Sequence, residues 1–132
     1  MRTIAGLILA GLLFAVSPAY AGDVIDGSKP LLCASIEALD CDPGEGCERG
    51  IPESMGAPQF LRVDFAKSEI AGPLRTTKIR WTEKYEDQII LQGYEIGLGW
   101  TCAIDRITGN ARLTFAGWNS TFVIFAACTA LP

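Results

Sequence analysis

The sequence contains no histidine among its 132 residues. This absence excludes Ser-His-Asp and Cys-His nucleophilic sites, histidine metal ligands and histidine pH switches. Basic residues are also scarce, with 11 Lys and Arg against 15 Asp and Glu. Because nucleic-acid binding depends on Lys and Arg side chains that neutralise phosphates, we expect no nucleic-acid partner.

Long apolar runs are absent after the N-terminus, where a single run extends from Ile4 to Val16. The run follows Arg2 and precedes Ala19-Tyr20-Ala21, which is the pattern of a secretory signal peptide cleaved after Ala21. It is shorter than the roughly 20 apolar residues of a membrane-spanning helix, although an uncleaved anchor remains the alternative. We therefore predict a cleaved signal peptide at 1–21 and a periplasmic or secreted mature chain, 22–132, without a membrane span.

Helical periodicity is also missing from the mature chain, whereas alternation of apolar and polar residues is frequent. Alternation with β-branched and aromatic residues predicts strands. In one of them, Ile79 and Trp81 are expected to face the core together. The predicted strands are 31–39, 59–66, 76–85, 88–96, 99–107, 111–117 and 121–128, with one or two helical turns as the alternative for 31–39.

Short polar connectors between these segments favour an antiparallel meander, and closure would remove its exposed edges. The predicted fold class is therefore all-β, a barrel or sandwich of about 6–8 strands. Residues 22–57 hold eight acidic and two basic residues, and breakers are dense between 40 and 58. We predict that 22–57 is an acidic, loop-rich segment with the first strand, and that 58–132 is the meander of the same domain.

Five cysteines in a small exported domain predict disulfide bonds. Cys41 and Cys47 flank a short segment rich in Gly and Pro, which favours a bridge between them. Cys33 and Cys128 lie near opposite ends of the mature chain, and a second bridge would join the first element to the last. Cys102 is then a buried free thiol, although a Cys102–Cys128 pairing remains open.

Four acidic residues surround the Cys41–Cys47 loop: Asp40, Asp42, Glu45 and Glu48. Their spacing resembles the start of a calcium loop, but the position that requires Gly is Glu45 and the position that requires a bidentate Glu is Ile51. We therefore expect no metal and no cofactor. The hypothesis is an acidic loop that faces a partner of unknown identity, for which a cationic protein is the suggested class.

Paired-carboxylate catalysis is the remaining enzymatic chemistry for a chain without histidine. Its candidates are Asp64, Glu83, Asp87, Glu95 and Asp105. Their spacing implies no pair in a common cleft, so we expect no enzyme activity.

Four stretches, LLCASIEALDC, GAPQFLRVDFA, EDQIILQGYEIGLGWTCAID and FAACTALP, resemble small exported proteins of Gram-negative bacteria that have no assigned activity. The resemblance implies export and a β-rich fold, without site residues. The leading hypothesis is a non-enzymatic exported binding protein. The alternatives are a lysozyme-inhibitor-like protein and a lipocalin-like carrier with a cavity lined by Trp100, Ile104, Phe115 and Phe122.

Overall fold

The computed structural model describes residues 22–132, and antiparallel strands account for most of them. No helix in this part of the chain is long and apolar enough to cross a membrane. The signal peptide predicted at 1–21 lies outside the described residues. One 3₁₀ helix covers Pro52–Met55. The strands are β1 Leu31–Asp42, β2 Gly46–Gly50, β3 Phe60–Asp64, β4 Glu69–Ala71, β5 Thr76–Lys78, β6 Trp81–Lys84, β7 Gln88–Glu95, β8 Leu98–Asp105, β9 Asn110–Ala116 and β10 Thr121–Ala130.

The strands form one sheet in the order β5-β4-β3-β1-β10-β9-β8-β7-β6. Strand β2 pairs with the C-terminal part of β1, residues 38–42. All pairings are antiparallel, so the predicted all-β antiparallel fold is confirmed. The strand order is not a simple meander, because β1 lies between β3 and β10. Two meanders, β3–β5 and β6–β10, therefore flank the first strand.

The sheet curls into a half-barrel, and one short chain segment joins its two edge strands. The last strands at each end, β5 and β6, are separated only by Ile79 and Arg80. The Ile79 N–H donates to the Ser68 carbonyl at 2.9 Å, beside β4, and the Arg80 N–H donates to the Gln92 carbonyl of β7 at 2.8 Å. These hydrogen bonds link both ends of the sheet and satisfy backbone groups that an open edge would leave unpaired.

Two ends of the barrel can be distinguished by the turns that they carry. The upper end carries the turns at 43–45, 72–75, 96–97 and 117–120, and the lower end those at 65–68, 85–87 and 106–109. The candidate site lies at the upper end.

The prediction of 6–8 strands is wrong, because the sheet has ten. Part of the difference lies in residues 40–58, expected to be a loop. Gly44 and Gly46 have φ values of +80° and +85°, a backbone region that glycine adopts without a steric penalty. The chain therefore turns tightly at 43–45, and 46–50 returns as β2. The three-residue strand β4 is too short to produce a detectable alternation.

The segment 76–85 also departs from its predicted course. Ile79 is 8% exposed, as expected, but Trp81 is 51% exposed. The two residues do not share a face because regular strand pairing is interrupted at 79–80, where the chain changes its partner from β4 to β7. This bend splits one predicted strand into β5 and β6.

The core fills the middle and lower parts of the barrel. The largest fully buried side chains are Leu31, Val63, Ile89, Leu91, Cys102, Ile104 and Ile124. Cys102 and Ile104 of β8 and Ile124 of β10 are among them, each on the inner face of its strand. One irregularity occurs in β1, where the register with β10 shifts between Ser35 and Glu37. This bulge keeps Leu31, Cys33 and Ala38 inside although their spacing is not strictly even.

Candidate binding site

Both disulfides join residues that lie directly opposite each other on neighbouring strands. Cys33–Cys128 joins β1 to β10 with the Cα atoms 4.0 Å apart, and Cys41–Cys47 joins β1 to β2 at 4.1 Å. The first bridge is buried, whereas Cys47 is exposed at the upper end. These are the pairs favoured in the sequence analysis, and the alternative Cys102–Cys128 bond is not formed.

Cys102 is the free thiol, and it lies on the inner face of β8. Its cross-strand neighbours are Leu91 of β7 and Leu113 of β9, both buried. Burial raises the pKa of the Cys102 thiol to about 12. The side chain therefore stays protonated at neutral pH and packs as a small hydrophobe.

The four acidic residues singled out in the sequence lie on the hairpin formed by residues 38–50, hereafter the acidic hairpin. Asp40 and Glu48 lie directly opposite each other, while Asp42 and Glu45 lie at its tip. All four are exposed, and within residues 22–132 none forms an ion pair. Arg49, the basic residue of the hairpin, is instead paired with Glu37 at 2.8 Å. The hairpin therefore presents a negative surface held by a disulfide.

Strand register places this hairpin at one end of a row of side chains on the inner face of the sheet. The row crosses six neighbouring strands, from β2 to β7. Each member is directly opposite the next. The aromatic members lie on three different strands, so the residue spacing within one strand does not reveal that they are neighbours. In order the row is Glu48, Asp40, Phe122, Phe115, Trp100 and Gly93.

The aromatic part of this row is closely packed. The rings of Phe115 and Phe122 are stacked with centroids 4.6 Å apart. A Cβ atom on Gly93 would lie 2.4 Å from the Trp100 ring and 2.6 Å from the Lys78 carbonyl. Glycine is therefore required for Trp100 to lie against β7. The Trp100 indole N–H also donates to the Thr77 hydroxyl at 3.3 Å, which orients the ring.

A cavity of about 130 Å³ lies beside this aromatic row, and it is hereafter the mouth cavity. Its polar margin contains Arg75 and Glu95, whose side chains approach to 3.8 Å, and Thr77. Its apolar wall is formed by Leu61, Ile70, Trp100, Leu113, Phe115 and Ile124. Of the four residues predicted to line a lipocalin-like cavity, Trp100 and Phe115 line it, while Ile104 and Phe122 do not.

No protein-family model, curated protein or solved structure matches this chain.

The carboxylates considered for catalysis lie at different ends of the barrel. Asp64, Asp87 and Asp105 flank the lower turns, whereas Glu95 lies at the upper end. The backbone N–H groups of Thr108 and Ile107 donate to Asp105 and hold the pKa of its carboxyl below the ordinary value. Within residues 22–132, no group of three His, Cys, Asp or Glu side chains is placed to hold a metal ion.

The aromatic row and the mouth cavity were missed at the sequence level. The residue patterns place Trp100, Phe115 and Phe122 each on the inward face of its predicted strand. It does not indicate that the three rings lie at the same height, because that depends on the register between strands.

Proposed function

We propose that this chain is an exported, non-enzymatic binding protein that docks a cationic protein partner through the acidic hairpin. The observation that carries the proposal is the set of four exposed carboxylates on a disulfide-held hairpin at the upper end, none of which is paired with a basic residue of 22–132. Such a surface attracts basic partners and speeds their association.

Neighbouring turns add apolar contact surface to this end. Trp118 is 94% exposed in the turn between β9 and β10, and Ile96 is 71% exposed in the turn between β7 and β8. Exposed tryptophan is frequent among residues that dominate the energy of protein interfaces. A negative hairpin next to exposed apolar residues is typical of a docking surface with both steering and anchoring groups.

The proposed compartment is the periplasm or the extracellular space. Two disulfides in a small domain are typical of an oxidising compartment. The signal peptide expected at residues 1–21 supports the same location. A role like that of a lysozyme inhibitor is one specific form of this proposal, because the acidic hairpin would attract a cationic lysozyme.

A lipocalin-like carrier for a large ligand is less well supported. The mouth cavity measures about 130 Å³, whereas pockets for drug-sized ligands measure roughly 300–1,000 Å³. The buried side chains of the middle and lower layers occupy the space that such a carrier would keep open.

The test measures binding of a cationic lysozyme at about 20 mM salt, where charges act over roughly 20 Å. Two triple variants remove the same number and type of charges from opposite ends of the barrel. The hairpin variant carries Asp42→Asn, Glu45→Gln and Glu48→Gln. The matched control carries Asp87→Asn, Glu83→Gln and Glu86→Gln.

We expect the hairpin variant to bind roughly tenfold more weakly, since exposed ion pairs contribute about 0.2–1 kcal/mol each. The control should change affinity by less than about twofold, and added salt should weaken binding by the wild-type protein. Equal weakening by both triples would refute docking through the hairpin. Absence of binding at low salt would remove the lysozyme-inhibitor-like role.

A further inference from the structure

The mouth cavity has the size and lining of a site for one aromatic ring. Its volume of about 130 Å³ is close to the roughly 150 Å³ of an engineered cavity, lined by Leu, Ile and Phe, that stays dry and binds benzene. Trp100, Leu113 and Ile124 on its wall are each no more than 4% exposed. A ligand ring there would contact apolar groups on several sides.

The cavity has a route to the surface. A cleft of about 400 Å³ lies between the 3₁₀ helix and the 72–75 turn. It shares Pro58, Gly72 and Arg75 with the lining of the mouth cavity. A small molecule could therefore pass from solvent through this cleft without opening the sheet.

The polar groups of the cavity are confined to its margin. Arg75 and Glu95 form an ion pair at 3.8 Å, with their side chains 55% and 34% exposed. The Thr77 hydroxyl is already engaged, accepting from Trp100 and donating to the Tyr94 carbonyl at 3.3 Å. A ligand would therefore meet polar groups only at Arg75 and Glu95, which are paired with each other near solvent, and apolar groups deeper inside.

We propose that the mouth cavity binds a small monocyclic aromatic molecule with one polar substituent. The ring lies between Trp100, Phe115 and the aliphatic wall, and the substituent meets Arg75 and Glu95 at the margin. The volume of the cavity suits one ring, and its polar groups lie on one side only. This site is separate from the acidic hairpin and does not depend on the binding of a cationic protein.

The test uses phenol and benzene as probes of the full mature chain. Calorimetry should give a dissociation constant of about 0.1–1 mM for phenol, a range that ligand efficiency allows for seven heavy atoms. Benzene, which lacks the polar group, should bind several-fold more weakly. Ring currents from bound phenol should shift the methyl NMR signals of Leu113 and Ile124.

Gly72→Leu is the blocking variant. A Cβ at Gly72 would lie 3.6 Å from both Leu61 and Pro58, which is ordinary contact, and the backbone there is not left-handed. The added side chain should obstruct the junction between cleft and cavity and weaken phenol binding at least tenfold. Gly99→Leu places the same side chain at an exposed position of β8, where the nearest atom is 3.8 Å from the new Cβ, and should leave binding unchanged.

Three results would overturn the proposal. The first is no phenol binding by the wild-type protein at millimolar concentration. The second is phenol binding that Gly72→Leu leaves unchanged. The third is phenol binding no tighter than benzene, which would contradict the role of the margin. If Gly72→Leu does not fold, the NMR spectrum of the wild-type chain tests whether phenol binds in the mouth cavity. Phenol bound elsewhere would leave the Leu113 and Ile124 methyl signals unmoved, which would contradict the proposal.

Discussion

Removing the Cys33–Cys128 bridge should destabilise the protein about twice as much as removing the Cys41–Cys47 bridge. The two bridges enclose very different lengths of chain, with sequence separations of 95 and 6. In the chain-entropy model these lengths correspond to about 4.7 and about 2.2 kcal/mol. Burial increases the difference, since Ala in place of Cys33 and Cys128 also leaves a void in the core.

The assay is urea denaturation at pH 7, comparing Cys33→Ala/Cys128→Ala with Cys41→Ala/Cys47→Ala. Total stabilities of small domains are about 5–15 kcal/mol, so the first variant should be close to unfolded while the second stays folded. Mild reduction of the wild-type protein offers a second measurement. The exposed bridge should open first, and the buried bridge should open only as the protein unfolds. Equal losses of stability, or a larger loss for the hairpin bridge, would refute the reasoning.

Two further predictions concern the inner face of the sheet. The pKa of the buried Cys102 thiol is about 12, whereas an exposed thiol ionises near pH 8.5. Above about pH 8.5 the unfolded chain therefore loses the thiol proton while the folded chain keeps it. The stabilisation that the buried thiol provides is complete below about pH 8.5 and is lost as the pH rises toward 12. Melting temperatures measured from pH 8 to pH 10.5 should therefore fall less steeply for Cys102→Ala than for wild type, and parallel curves would contradict this. Gly93→Ala should cost about 1–3 kcal/mol in urea denaturation, because its Cβ would meet the Trp100 ring and the Lys78 carbonyl. Gly99→Ala has space and is the control, and equal losses for the two variants would show that the contact at Gly93 is unimportant.

Much of the local structure could be predicted from residue patterns. Trp100, Cys102 and Ile104 alternate with small or polar residues, and all three are buried. This prediction works because successive side chains of a strand point to opposite faces of the sheet. The same local logic fails at Trp81, where the chain changes partners and the alternation is interrupted.

The order of the strands could not be predicted in the same way. The position of β1 between β3 and β10 brings residue 31 beside residue 130. Local propensity carries no information about such distant pairing, which depends on how all the apolar faces close around one core. The return of residues 46–50 as β2 was missed because a glycine-rich stretch predicts a turn but not its direction.

The sequence by itself determined most of the strand-forming segments, the inward phase of most of their apolar residues and the absence of histidine chemistry. It also placed four acidic residues around two cysteines. Only the tertiary structure decided that Asp40 and Glu48 lie in one row with Phe122, Phe115 and Trp100, next to a cavity. The physical reason is that the alternation within a strand sets which face a side chain occupies, whereas its height and neighbours depend on the register between strands.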